Sequence, residues 1–156
     1  MRKRLIASTP QWDEKQESFL DLEKICSVEI TSEDPGHPVE GALVPGAGSG
    51  WQAAGPGPQK VRLVFEEPRK IRRVRLVFEE SQVERTQEFA LSWVPAGEER
   101  LRGLVRQQYT FSPGGATCEI EDYAFELDGA AVLELEIVPD VSGGGTRASL
   151  VSMRVA

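Results

Sequence analysis

The stretch from Asp34 to Pro58 limits the fold more than any other part of the chain. Seven of its 25 residues are glycine and five are proline. That density excludes a helix and a central strand, because proline removes a backbone donor and glycine is entropically costly to hold in either element. A loop of this length inside a compact chain is functional or disordered. Trp51 lies within it, and disordered segments are poor in aromatics. The expectation is an ordered loop that serves binding and then enters an alternating strand at Lys60–Phe65.

Period-two alternation dominates the remainder. It places strands at Cys26–Ile30, Val61–Phe65, Val74–Phe78, Phe89–Trp93, Leu101–Phe111, Thr117–Leu127, Val132–Ile137 and Ala148–Val155. Turn signals separate them: Pro68 with its charged neighbours, Pro95-Ala96-Gly97, Ser112-Pro113-Gly114-Gly115, and Ser142 to Thr146. About eight antiparallel strands at this spacing, with nothing helical between the later ones, point to an all-β jelly-roll or related β-sandwich. Residues 9–24 supply the one helical candidate, with Thr9 as N-cap and Pro10 at the first helical position. The organisation read here is a short helix or irregular lead-in over 1–24, packed on a single domain over 25–156.

A chain of 156 residues with 40% hydrophobic content can bury its own core without staples. Its net charge of −7 argues against nucleic acid as a partner, since that affinity rests on neutralising phosphates. Against the trend runs a basic series, Arg69, Lys70, Arg72, Arg73 and Arg75. It reads as a solvated strand face beside acidic neighbours, with direct DNA contact as the alternative. The start, MRKRLIASTP, has only Leu5, Ile6 and Ala7 as an apolar run. A secretory leader needs roughly 7–15 apolar residues, and a membrane helix about 20, so the expected location is cytoplasmic, with no membrane partner. Cys26 and Cys118 lie in no metal-binding or redox spacing. They are expected to be buried free thiols.

No catalytic constellation emerges. His37 is the sole histidine and cannot form a two-histidine metal site; as a catalytic base it would need a nucleophile beside it. Among 25 carboxylates no pair stands out. Gly143-Gly144-Gly145 lacks the lysine and following helix of a phosphate loop and reads as flexibility.

The order of features resembles the discoidin, or coagulation-factor type C, group of galactose-binding-like jelly-roll domains. A strand ending at Ser32 is followed by a turn with Pro35 and Pro38, by Val39-Glu40-Gly41-Ala42-Leu43 where such domains carry an Ala–Asp–Gly element, and by Trp51. Gln59–Phe65, Ile71–Leu76, Phe89-Ala90-Leu91-Ser92, Tyr123–Leu127, Leu133–Pro139 and Leu150–Val155 resemble the later strands. The resemblance spans residues 25–156. It implies a non-enzymatic binding module with loops 32–51, 79–87 and 139–147 gathered at one end of the sandwich. It also implies a carbohydrate ligand, with a protein partner as the alternative, after the DNA-repair scaffolds that use this fold, in a dimeric form. Some members hold a structural calcium; Glu40 stands where aspartate is usual, so no cofactor is expected.

A sugar site needs an aromatic platform for the apolar ring face and planar polar groups for the hydroxyls. Trp51 as the stacking platform, with Glu33, Asp34, His37, Arg85 and Arg106, would supply those parts. The competing reading makes Trp51 a core plug and pairs Arg106 with a buried carboxylate such as Glu88, because buried charges are normally paired. Trp12 and Trp93 read as core or lid.

Overall fold

The computed structural model describes residues 18–156. The Thr9 cap, Pro10 and Trp12 lie outside the described residues. Helix α1 (Leu22–Ile25) precedes strand β1 (Cys26–Ile30). Helix α2 (Glu40–Leu43) and strand β2 (Trp51–Pro56) both form within the Gly/Pro-rich stretch, which corrects the expectation of no helix there: one turn fits between Pro38 and Pro45, and β2 is a strand of a two-stranded sheet. Then follow β3 (Gln59–Glu79), β4 (Arg85–Pro95), β5 (Arg102–Phe111), β6 (Cys118–Val138), β7 (Arg147–Leu150) and β8 (Ser152–Val155). All strand pairs are antiparallel. Among the described residues eight strands form the expected jelly-roll sandwich, although they divide differently from the sequence reading.

Two strands of 21 residues organise the layers. The first half of β3 pairs with β1 and with the second half of β6, which in turn pairs with β4. The second half of β3 pairs with β8 and with the first half of β6. Each long strand therefore passes from one layer into the other. The pause expected around Pro68 is not a break between strands. It is a stretch of register shifts between Val64 and Arg73, opposite Ala130 and Leu127. Irregular pairing of this kind accommodates a residue without an N–H. Gly129, with φ of 68°, stands at the same bend. The Thr117–Leu127 and Val132–Ile137 segments likewise join as β6, and the final strand divides at Val151 into β7 and β8.

Alternation then fills the interior. Val61, Leu63, Val74, Leu76, Leu91, Leu133, Leu135 and Ile137 are fully enclosed. The rings of Phe78 and Phe89 stack across the two layers with centroids 5.4 Å apart. The basic series on β3 faces acidic residues: Arg73 bonds Asp122 through Nε at 2.7 Å, and Lys70 lies 3.5 Å from Asp128. Cys26 is buried and Cys118 is exposed, both as free thiols. The expected burial of Cys118 therefore fails, because it opens β6 at an edge that has β3 on one side only. Among the described residues no helix is long and apolar enough to cross a membrane.

Candidate functional site at the loop end

β1 and the second half of β6 finish at the same end of the sandwich where β3 and β4 begin, as their registers require. The connecting loops converge there. Arg85, the first residue of β4, holds them together. Its Nε donates to Glu80 Oε1 at 2.9 Å, and its Nη1 donates to the Pro139 carbonyl at 2.6 Å and to Gln87 Oε1 at 3.2 Å. Its Cζ lies 4.8 Å from the centroid of the Phe111 ring. The Arg85 side chain is 1% exposed, so it braces the frame and does not present its charge to a ligand. The Val141 amide completes the junction of loops 79–87 and 139–147 by donating to the Thr86 carbonyl at 2.9 Å.

Trp51 corrects the expected stacking role. It is 1% exposed, pairs with Leu150 in the β2–β7 ladder, and donates Nε1–H to the Ser32 carbonyl at 3.0 Å. A ring with both faces against the core offers none to a sugar, so Trp51 is the plug of the competing reading. Its polar edge ties the end of β1 to β2, satisfying the indole donor as burial demands. Glu33 is also structural in its contacts: Oε2 accepts the Val39 amide at 2.9 Å, just before α2.

Asp34 and His37 are adjacent through Oδ2 and Nδ1 at 2.9 Å, and their backbones form an isolated bridge. The hydrogen bond from His37 holds the Asp34 carboxyl below its ordinary range, and the Arg147 charge acts in the same direction. Arg147 is exposed and pairs with Pro56 across β2–β7, which joins the Asp34 loop to the 139–147 loop. Beside it lies a cleft of about 240 Å³ lined by Gly57, Pro58, Pro139, Asp140, Val141 and Thr146, among others. Asp140 Oδ1 accepts from the Ser142 hydroxyl at 2.7 Å and from its amide at 3.1 Å. Those bonds hold its carboxyl below the usual range. Asp34 and Asp140 are thus ionised acceptors at neutral pH, with His37 and Arg147 as donors close to the same end.

Arg106 does not join this group. It pairs with Glu88 at 2.9 Å, the partner of the competing reading, but the pair is not buried as that reading expected: the Arg106 side chain is 62% exposed on the β4–β5 pair. Asp140 and Arg147 escaped the residue-level reading although their loop was named. The Asp140–Ser142 spacing, an aspartate capping the amide two residues on, was the available signal. Glu119 also went unnoticed. It is 2% exposed and accepts from Gln87 Nε2 at 3.3 Å. Burial, and after it the neighbouring Glu121, pushes its carboxyl up to about 8. Glu119 is therefore neutral in the interior behind Arg85. Among the described residues no group of three or more His, Cys, Asp or Glu could hold a metal ion.

No family model and no curated protein matches the sequence. Solved structures do. The module CBM32-3 from a family 31 glycoside hydrolase of Clostridium perfringens superposes with a TM-score of 0.66 at 15% identity, over 93% of this chain and 98% of that one. The CBM32 of AlyQ, solved in complex with 4,5-unsaturated mannuronic acid, gives 0.61 at 17% identity, over 85% and 95% of the two chains. This is the discoidin-type, galactose-binding-like jelly-roll fold. A third such jelly roll, the family 32 module from C. perfringens NanJ in complex with galactose, gives 0.59 at 16% identity, over 88% and 96%. Within this galactose-binding-like frame, Arg85 and Trp51 belong to the scaffold, and Asp34, His37, Asp140 and Arg147 belong to its accessible loop end.

Proposed function

We propose that the chain is a non-catalytic carbohydrate-binding module whose ligand sits at the loop end, in the cleft between the Gly57–Pro58 turn and residues 138–146. The observation that carries this reading is the shared fold with solved carbohydrate-binding modules over most of both chains. The local chemistry supports it. A sugar hydroxyl both donates and accepts, so paired planar groups suit it. Asp34 and Asp140 accept, Arg147 and His37 donate, and Pro58 with the half-exposed Val141 supplies apolar surface for ring C–H groups. Glu33, Trp51 and Arg85 act by fixing the frame, and Arg106 lies outside the contact set.

The test is a glycan-array screen of the purified chain, repeated with calcium and with chelator. The expected result is a specific glycan signal that chelation leaves unchanged and that Arg147→Ala removes while the fold survives. A blank array, or a signal untouched by both Arg147→Ala and Asp34→Ala, would refute the assignment.

A further inference from the structure

Glu119 touches none of the accessible loop-end groups, yet it ends a hydrogen-bond chain that starts among them. Alternation along the first half of β6 turns Glu119, Glu121 and Tyr123 inward and leaves Ile120 57% exposed on the outer face. A carboxyl thus takes a core position opposite Phe78 while its apolar neighbour faces solvent. This half of β6 pairs with β3 alone, and an inward acid protects such an edge from other chains. Edge protection accounts for an acid here but not for its partners. A conflict between pattern and burial is a mark of functional positions.

The partners lead to the loop junction. Gln87 Nε2 donates to Glu119 Oε1 at 3.3 Å, Arg85 Nη1 donates to Gln87 Oε1 at 3.2 Å, and the same Nη1 donates to the Pro139 carbonyl at 2.6 Å. Glu119, Gln87 and Arg85 are all buried. On its other side Glu119 meets Glu121, whose Oε2 accepts the Tyr123 hydroxyl at 2.8 Å. Glu119 Oε2 receives no donor, so a proton held there and shared with Glu121 satisfies both groups. The surrounding elements bring little other charge. β3 presents Phe78, and β5 presents Phe111 beneath the Arg85 guanidinium and Tyr109, whose hydroxyl donates to the Cys118 carbonyl at 3.1 Å. Glu80, on the β3–β4 connection, is paired with Arg85. Arg85 is the cation of this network.

We propose that Glu119 is a positioning residue for the loop-end site: as a neutral acid it keeps Gln87 and Arg85 in the arrangement that joins loops 79–87 and 139–147, and its ionisation loosens that junction. An ionised Glu119 stands as a second carboxylate beside Glu121, and a buried charge demands a partner. The guanidinium that can answer it is already committed to Glu80 and the Pro139 carbonyl, so carboxylate and carbonyl compete for Arg85. Burial, and after it Glu121, keeps the proton on Glu119 up to about 8. The junction is therefore closed at neutral pH and opens on the alkaline side. The consequence for a ligand rests on the carbohydrate reading of the cleft; the consequence for the junction does not.

The Val141 amide, which donates to the Thr86 carbonyl across the junction, reports on it without any ligand. Its NMR shift is followed in the full chain from about pH 6 to about pH 10, spanning the raised carboxyl, with circular dichroism at each point. The wild type should show one titration step near 8 with the fold intact. The step should vanish in Glu119→Gln, whose amide accepts from Gln87 and donates to Glu121 as the neutral acid does. It should vanish also in Gln87→Met, which keeps the acid and cuts the chain. The glycan selected on the array should bind about tenfold more weakly to the wild type at the alkaline end, an ordinary coupling between sites, and equally at both ends to Glu119→Gln. His37 is present in both proteins, so the difference belongs to Glu119. A Val141 shift that does not titrate, a step that survives either variant, or a step that coincides with loss of circular dichroism would overturn the inference, as would equal wild-type affinity at both ends. A blank glycan array would defeat the carbohydrate reading and leave Val141 to decide the inference alone.

Discussion

Two glycine-rich loops of this molecule use glycine for opposite purposes. In the 34–58 stretch two glycines, Gly41 and Gly50, permit close packing. A Cβ on Gly50 would stand 2.7 Å from the Leu150 carbonyl oxygen, and one on Gly41 would stand 2.8 Å from the Gly50 carbonyl oxygen. Gly50 also holds φ of 116°. Backbone approaches backbone there, and Trp51 is driven into the core beside them. In the 139–146 loop, Gly143 and Gly144 hold φ of 88° and 92° with nothing within 4 Å of an added Cβ. Those glycines serve a turn in open solvent. The comparison teaches that glycine density does not by itself mark a ligand loop. The longer loop is scaffold around Trp51 and reaches the accessible end at Asp34, His37 and the Gly57–Pro58 turn, whereas the shorter one brings Asp140 and Val141 there.

The strongest challenge to this contrast is Trp51→Ala. It should destabilise the fold by about 3–5 kcal/mol, the cost of emptying an aromatic core position, as read from urea unfolding. A stable Trp51→Ala protein that merely lost ligand would reverse the assignment of the two loops. Arg85→Ala comes next, at about 3 kcal/mol, because it leaves Glu80 and the Pro139 carbonyl without their donor in a mostly buried setting. Wild-type stability in that variant would mean that the loop end is held together by something other than the Arg85 junction.

Glu119 sharpens the account of the frame behind the site. Its carboxyl is raised from 4.5 to about 8 in the fold, so the native state binds a proton that the unfolded chain releases. Stability should therefore fall as pH climbs from about 4.5 to about 8, not rise. Glu119→Gln should flatten that slope and add on the order of 2 kcal/mol at the alkaline end of the window. An unchanged pH slope would show that Glu119 is ionised in the fold. The smallest effect belongs to the open loop. Gly144→Ala should cost about 1 kcal/mol, from positive φ alone. A cost as large as that of Trp51→Ala would erase the distinction between the loops.

Much of the frame is legible in period-two alternation. Val61, Leu63 and Phe65 face inward as do Val74, Leu76 and Phe78, and both sets follow from spacing. Their union into one strand does not, because a proline reads as a stop when the tolerance of an irregular register is out of view. α2 and β2 are hidden by the residues that make them possible, since Gly41 and Gly50 look like loop formers until their neighbours 9 and 101 positions along, Gly50 and Val151, are seen in contact. The Asp34–His37 pair is local, three residues apart, and was within reach of the sequence. The Arg85 junction was not. Phe111 and Pro139 meet Arg85 only through the pairing of β4 with β5 and β6, and alternation in a single strand carries no information about its neighbours.

The central claim is that ligand binding belongs to the open loop end and not to the Trp51 core. Backbone-amide NMR of the full chain, titrated with the glycan selected on the array, tests it most directly. The account predicts saturable shifts at residues 34–37, 57–58 and 139–147, with little change around Trp51 and Arg106. Shifts centred on Arg106 and the β4–β5 face, or no saturable shift with any glycan, would contradict it.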